Sequence, residues 1–192
     1  MTESGIIRDI LEGDREKFRL LVEKYQPLVF RTCIGFVHDK DDADDLTQEV
    51  FIQAYQSLSR FRGNSAFSTW LYRIAVNASL NSVRRSSKNF IVQRFNSLFG
   101  SEKTSDIPFS QADADDPENI LIRKEHVVRV QKAIDSLPEN QRTAIILSKY
   151  DDLSQKEIAA IMNITEGAVE SLLQRAKQNL REKLSAGRGK NP

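Results

Sequence analysis

Apolar residues recur at helical spacing through most of the chain. Between residues 67 and 78, for example, they fall at Phe67, Leu71, Ile74, Ala75 and Ala78. This spacing places them on one face of a helix. No segment alternates apolar and polar residues in the manner of a half-buried strand. The pattern therefore predicts an all-α fold.

Turn and capping residues divide the first part of the chain into helices. We expect Pro27 to break or restart the second helix, because proline lacks the backbone donor that a helix interior needs. A run of acidic residues then begins at Asp39. Acidic residues suit a helix N-terminus, and either Asp41 or Asp42 is expected to cap the helix that follows.

Capping boxes mark helix starts in the second part of the chain. Ser136–Glu139 and Ser154–Glu157 both fit the pattern of a hydroxyl residue followed three positions later by a glutamate. The second box opens a short helix, residues 162–164 form a turn, and Thr165 is expected to cap a long last helix. This succession is typical of a helix-turn-helix, although any helical hairpin could imitate it.

Between residues 96 and 116 the composition changes. Ser, Asp, Gly and Gln dominate, and the few apolar residues show no period. Such a segment predicts a flexible acidic linker, and at about 20 residues it separates domains rather than closing a loop. We therefore expect two small helical domains, 1–95 and 117–186, with a short tail at 187–192.

The exposed face of the helix that starts near residue 67 carries an unusual stripe. Arg73, Asn77, Asn81 and Arg85 repeat every four residues, with Trp70 at their head. From residue 60 to residue 94 there are seven basic residues and no acidic one. Amides for base edges, cations for phosphates and aromatic rings for stacking favour a nucleic-acid surface. The alternative is a basic helix with core aromatics.

Two other helices also present polar faces. On the last helix, residues able to contact base edges and phosphates point away from the apolar side. These residues are Glu166, Glu170, Ser171, Gln174, Arg175, Lys177 and Gln178. On the helix after the acidic run, Asp45, Gln48, Glu49 and Ile52 point outward. From periodicity alone, that patch is an ordinary solvated helix face.

The acidic run that begins at Asp39 also suggests a calcium-binding loop. Such a loop starting at Asp39 is excluded, because Asp44 and Val50 stand where glycine and glutamate are required.

The net charge of +1 conceals strong local differences. Residues 1–59 carry −5, residues 60–94 carry +7, residues 95–119 carry −5 and residues 120–192 carry +4. Different parts of the chain are therefore expected to meet different partners.

Other functional classes find little support in the sequence. The single cysteine, Cys33, excludes an internal disulfide and is expected in the core. His38 and His126 are isolated, and no glycine-rich phosphate loop, metal-ligand spacing or nucleophile–base pair is present. We therefore expect neither an enzyme nor a cofactor. The absence of a signal peptide or spanning apolar run predicts a cytoplasmic protein.

Three stretches, 44–51, 61–77 and 153–175, resemble the extracytoplasmic-function sigma factors, the small two-domain group of the sigma-70 family. The resemblance implies binding to core RNA polymerase, through the coiled coil of its largest subunit and its flap, and to promoter DNA. It also implies that an anti-sigma protein could bind the chain and hold it at the membrane. The rival interpretation is a helix-turn-helix repressor with an N-terminal helical sensing domain.

The resemblance implies a role for each exposed surface. The loop after Phe61 and the following helix would capture and read the −10 element during melting, the last helix would read the −35 element, and the acidic patch would dock on polymerase. The implied −10 residues are Arg62, Asn64, Ser65, Phe67, Trp70, Arg73, Asn77, Asn81, Arg84 and Arg85. The implied −35 residues are Thr165, Glu166, Glu170, Ser171, Gln174 and Arg175. The implied polymerase-binding residues are Asp45, Leu46, Gln48, Glu49 and Ile52.

Overall fold

The computed structural model describes the backbone of residues 2–97 and 117–186, and the side chains of residues 2–86 and 125–185. All regular structure within these ranges is helical, which confirms the predicted fold class. The helices are α1 (Glu3–Leu11), α2 (Phe18–Val37), α3 (Lys40–Ser57), α4 (Phe67–Ser97), α5 (Pro117–Asp135), α6 (Glu139–Lys149), α7 (Gln155–Met162) and α8 (Glu166–Ala186). The predicted linker lies outside the described residues except for its first two, which end α4.

Helices α2, α3 and α4 pack against one another to form the core of the N-terminal half. Leu21, Val29, Val50 and Leu71 are fully buried there. Cys33 lies in the same core, as predicted, and burial raises the pKa of its thiol to about 11. The cysteine is therefore a packing residue held as the neutral thiol.

The expected break at Pro27 does not occur, and α2 runs unbroken from Phe18 to Val37. A proline in a helix interior removes one backbone donor and crowds the carbonyl four residues earlier, here that of Glu23. Both residues are exposed, so solvent reaches this side of the helix. Tyr25 and Val29 are buried and hold the helix on its core.

The predicted cap of α3 was wrong by two or three residues. Asp39 is the N-cap, and its side chain accepts a hydrogen bond from the backbone N–H of Asp42 at 3.0 Å. Asp41 and Asp42 lie inside the first turn. There their carboxylates still face the positive end of the helix dipole.

Helices α6, α7 and α8 enclose the core of the second half around Ile146, Ile158 and Val169. The capping box at Ser154 is confirmed, since Ser154 Oγ and the Glu157 carboxylate each accept a hydrogen bond from the other residue's N–H. Thr165 Oγ1 accepts from the N–H of Ala168 at 3.2 Å. Helices α7 and α8 therefore form the predicted helix-turn-helix.

The capping box expected at Ser136–Glu139 is absent. Pro138 has an extended ψ of 143° and is itself the residue before α6. The hydroxyl of Ser136 instead donates to the carbonyl of Ala133 in the last turn of α5. The extended proline keeps Ser136 and Glu139 out of the single helical turn that a box requires.

The two halves touch in this structure. Phe36, Tyr72 and Val76 from the N-terminal half join the apolar cluster of the second half. Gly35 permits the close approach of α2, because a Cβ built there would lie 2.8 Å from Ile146 Cγ2. The sequence pattern did not predict this contact.

Candidate nucleic-acid interface

Most of the predicted stripe on α4 is exposed. Asn77, Asn81 and Arg85 face solvent, whereas Arg73 is half-buried. Arg85 approaches Glu49 of α3 only at 3.9 Å, which is a weak pair in solvent. The amide groups and one guanidinium of the stripe are thus accessible to a ligand.

An aromatic cluster stands at the head of the stripe. The rings of Phe61, Phe67 and Trp70 lie with their centroids 5.4 or 5.5 Å apart in every pair. Phe67 is 2% exposed, so this predicted contact residue lies beneath the surface and supports the other rings. Trp70 and Phe61 are half-buried, and they present the aromatic surface that remains for stacking.

The loop beside this cluster turns at its glycine. Gly63 adopts a φ of 70°, a left-handed conformation that glycine tolerates best. Arg62 and Asn64 are exposed and Ser65 is half-buried. The loop therefore carries a cation and two polar side chains next to Trp70.

Two arginines of the α4 surface contact the second half of the chain. Arg73 donates to the backbone carbonyls of Ala160 at 2.6 Å and Ile161 at 3.2 Å. Arg84 donates from Nε to Glu139 Oε1 at 2.7 Å, and its Nη2 bonds the other carboxylate oxygen. On the predicted −10 surface, the amides of Asn77 and Asn81 and the guanidiniums of Arg62 and Arg85 are therefore exposed, whereas Arg73 and Arg84 contact the second half.

The predicted outward face of α8 is exposed throughout. This holds for Thr165, Glu166, Glu170, Ser171, Gln174 and Arg175. A groove of about 510 Å³ runs beside this face, between the start of α7 and α8. Its lining side chains are Gln155, Glu170, Leu173, Gln174, Lys177, Gln178 and Arg181. The groove is polar, and its two cations, Lys177 and Arg181, outnumber its one carboxylate, Glu170, so it could contact phosphates.

The acidic patch on α3 is accessible except for one member. Asp45, Gln48 and Ile52 are exposed, and Glu49 is half-buried and accepts a hydrogen bond from Gln53 at 3.0 Å. Leu46 is 4% exposed and belongs to the core. The leucine therefore positions the patch and does not present its side chain on the surface.

An apolar groove that the sequence did not indicate adjoins this patch. It has a volume of about 740 Å³ and includes Ile52, which is 57% exposed. The other lining residues are Arg15, Glu16, Phe18, Arg19, Val22, Phe51, Tyr55 and Gln56. Its residues come from α2, α3 and the turn before α2, so no single helical period could have revealed it.

A polar cluster between the halves was also missed. Arg142 is 5% exposed and donates to the carbonyl of Phe36 and, at 2.7 Å, to Asp135 Oδ1. The same carboxylate oxygen lies 2.9 Å from His38 Nε2. Burial lowers the pKa of the Arg142 guanidinium. One sign of this cluster was present in the sequence: Arg142 occupies a position of α6 where the helical period calls for an apolar residue.

A second buried acid lies at the same boundary. Asp151 follows α6 and accepts a hydrogen bond from Thr32 of α2 at 2.9 Å. Arg31 Nε is 3.5 Å from its other oxygen. Burial outweighs these favourable contacts and raises the pKa of Asp151 to about 6.

Each half of the chain matches a known protein-family model. The family model for sigma-70 region 2 matches residues 21–89, and a model for sigma-70 region 4 matches residues 128–180. The chain belongs to the sigma-70 family, in its extracytoplasmic-function group. The stripe on α4 and the patch on α3 lie within region 2, and the helix-turn-helix lies within region 4 except for the last turn and a half of α8.

The similarity to known relatives covers almost the whole of this chain. The chain is 37% identical to the RNA polymerase sigma-H factor of Pseudomonas aeruginosa, over 92% of this chain and 90% of the relative. It is 36% identical to the sigma-E factor of Escherichia coli K12, over 96% and 95% of the two chains.

A solved structure shows a similar fold. The sigma factor RpoE from Bartonella quintana, solved in complex with the anti-sigma factor NepR, is 25% identical with a TM-score of 0.59. That alignment covers 88% of this chain and 98% of RpoE. Among the helices described here, none is long and apolar enough to cross a membrane.

Proposed function

We propose that this sigma factor binds core RNA polymerase and directs promoter-specific transcription initiation, with residues 1–95 and 117–186 as its two functional domains. One observation carries the proposal. The acid-free exposed face of α4, headed by an aromatic cluster, occurs in the same chain as an exposed helix-turn-helix face. Two separate DNA surfaces in one small protein fit the reading of two promoter elements.

The α4 surface would read and help open the −10 element. Asn77 and Asn81 are exposed one turn apart, and their amides can pair with the edges of unpaired bases. Trp70 and the loop from Arg62 to Ser65 lie at the head of the helix, where an extruded base could be held. Extruding a base costs a few kcal/mol, and stacking returns roughly 1–3 kcal/mol per base.

The α8 face would read the −35 element in the major groove. Helix-turn-helix proteins place the N-terminal part of the second helix against base edges. Glu170, Ser171, Gln174 and Arg175 occupy that part of α8 and are exposed. Arg175 is the residue best suited to a guanine, because its planar guanidinium can donate two parallel hydrogen bonds.

The α3 patch would dock on the coiled coil of the largest polymerase subunit, and the second half would hold the flap. Asp45, Gln48 and Glu49 supply charge and hydrogen bonds, and exposed Ile52 supplies an apolar contact. An interface needs both an apolar centre and a polar rim. The neighbouring groove extends the apolar part of this surface.

The chain would act as a regulator without catalytic activity or cofactor, and in the cytoplasm. An anti-sigma protein is a further proposed partner, since RpoE was solved bound to one. Such a partner could also hold the chain at a membrane.

Run-off transcription with purified core polymerase tests the proposal. We expect specific transcripts from a promoter library only when chain and core are combined. A gel shift without polymerase is the matched control, because a helix-turn-helix repressor binds duplex DNA by itself. Tight binding by the chain alone, with no transcript from the combination, would contradict the proposal.

A further inference from the structure

A carboxylate lies in the middle of the surface that α8 offers to DNA. Glu170 is the fifth residue of α8, and it is exposed between Glu166 and Gln174. Residues four apart lie one above the other on the same side of a helix. DNA carries phosphate charges along its whole length. A carboxylate at this position therefore lowers the affinity for DNA of any sequence unless it makes a specific contact.

The fold does not explain this carboxylate. Glu170 lies beyond the first turn of α8, where Glu166 already faces the positive end of the helix dipole. The two glutamates are four residues apart, and like charges at that spacing destabilise a helix slightly. Within the described part of the chain, no cation lies within 4.0 Å of the Glu170 carboxylate. Lys177 and Arg181 line the same groove, and neither forms an ion pair with it.

The next residue of this face also presents an acceptor. The hydroxyl of Ser171 donates to the carbonyl of Gly167 at 3.0 Å, so its proton is used within the helix and its exposed oxygen can only accept. The cations of α8 come later, at Arg175, Lys177 and Arg181. The first part of the DNA face therefore offers acceptors, and the part that follows offers donors.

The bases differ in what their major-groove edges offer to a carboxylate. Cytosine presents its N4 amino group as a donor, whereas guanine and thymine present oxygen or nitrogen acceptors that repel a negative charge. Adenine presents its N6 donor beside the N7 acceptor, so attraction and repulsion occur together. A glutamate that faces base edges therefore favours cytosine.

We propose that Glu170 reads a cytosine in the −35 element and so selects the promoters that this sigma factor uses. The inference rests on the proposed function and adds the base that this residue recognises. Arg175 lies five residues further along α8, which is about 7.5 Å at 1.5 Å per residue. That distance corresponds to about two base-pair steps of 3.4 Å. The cytosine for Glu170 and the guanine for Arg175 are thus at different positions of the element.

Selection of promoter DNA by the complete holoenzyme tests the inference. Core polymerase is combined with the wild-type chain or a variant, and a promoter library with a randomised −35 element is sequenced before and after binding. The −10 element is constant and comes from a promoter that the run-off assay has identified. We expect the wild type to enrich cytosine at one −35 position by about fivefold or more, which is the lower end of the cost of one wrong base pair.

Two substitutions of Glu170 should change the base preference at that position in different ways. Glu170→Gln introduces an amide that both donates and accepts, which suits N6 and N7 of adenine, so the preference should move from cytosine to adenine. Glu170→Ala removes the contact and should abolish the preference. In both variants the guanine preference assigned to Arg175 should persist.

Glu182→Gln is the charge-matched control. Glu182 is exposed on the same helix, about three turns beyond Glu170. Its carboxylate accepts a hydrogen bond from Gln178 at 3.1 Å, which a glutamine oxygen can still accept. The control removes one negative charge from α8, so it can raise the affinity for all sequences together, but it should leave every base preference as in the wild type.

Two results would overturn the inference. Tighter binding of all sequences by both Glu170 variants, with unchanged base preferences, would show that Glu170 only repels phosphates. A shift from cytosine that Glu182→Gln produces equally would show that net charge, and not a base contact, sets the preference. A wild-type holoenzyme that enriches no −35 sequence and gives no run-off transcript would contradict the proposed function itself.

Discussion

Asp151 offers the sharpest test of the boundary between the halves. Its side chain is fully buried, close to Thr32 and Arg31 of α2. Burial raises the pKa of Asp151 from 3.8 to about 6 in spite of these partners. The ionised carboxylate is therefore disfavoured in the fold at neutral pH, and Asp151→Asn should remove that penalty.

The magnitude follows from the two pKa values. An acid with a raised folded pKa binds its proton more tightly in the fold, so its contribution to stability is present below pH 3.8 and lost as the pH rises through about 6. The complete loss is about 3 kcal/mol. About 2 kcal/mol of it develops between about pH 4.5 and about pH 7.5. The folded-state pKa of about 6 already includes the attraction between Arg31 and the Asp151 carboxylate, so that attraction does not add to the 3 kcal/mol.

Urea unfolding followed by circular dichroism, repeated across this pH range, measures the effect. The free energy of unfolding of Asp151→Asn minus that of wild type should increase with pH by about 2 kcal/mol. Gly167→Ala provides the control, because it changes no titratable group and its added Cβ meets no described atom within 4 Å, and it should give a nearly constant difference. A constant or decreasing difference for Asp151→Asn would refute the reasoning, because it would mean that Arg31 and Thr32 outweigh burial.

Four other changes probe the proposed surfaces and the fold. Arg175→Ala should cost roughly 1–3 kcal/mol of −35 binding and relax specificity at one base, whereas a uniform loss across promoter variants in filter binding would make it a phosphate contact. Asn77→Ala should slow promoter opening more than closed-complex formation, and a premelted template should restore much of the rate; equal defects on duplex and premelted templates would argue against a role in melting. The double change Asp45→Lys and Glu49→Lys should abolish co-elution with core polymerase at unchanged helicity, and wild-type co-elution would remove the patch from the docking surface. Ser154→Ala should lower the free energy of unfolding by about 1 kcal/mol, and an unchanged urea midpoint would mean that the capping box contributes little.

Local signals predicted much of the fold because capping and helical periodicity depend on residues close in sequence. The box at Ser154 and the cap at Thr165 are both present in the structure. The error at Pro27 had a non-local cause. Pro27 was tolerated because it lies on an exposed side of α2, and the exposure of that side depends on how α2 packs on α3 and α4.

The boundary between the halves could not be predicted in the same way. Thr32 and Asp151 are 119 residues apart, and Arg142 and Phe36 are 106 apart. Periodicity identified Arg73 as an outward residue of α4 but contains no information about which helix end would face it. The buried positions of Tyr72 and Val76 likewise depend on a partner surface from the second half. The sequence could therefore predict that the stripe lies on the surface of α4, but not that Arg73 would contact the end of α7.

Permanganate footprinting of promoter thymines tests the central claim most directly, since permanganate oxidises thymines that have left the stack. The promoter is one that the run-off assay has identified. We predict that thymines in the −10 element become reactive when the chain and core polymerase are present together, and stay protected with either one by itself. Reactivity with core polymerase alone, or continued protection with both proteins bound, would contradict the assignment of promoter opening to this sigma factor.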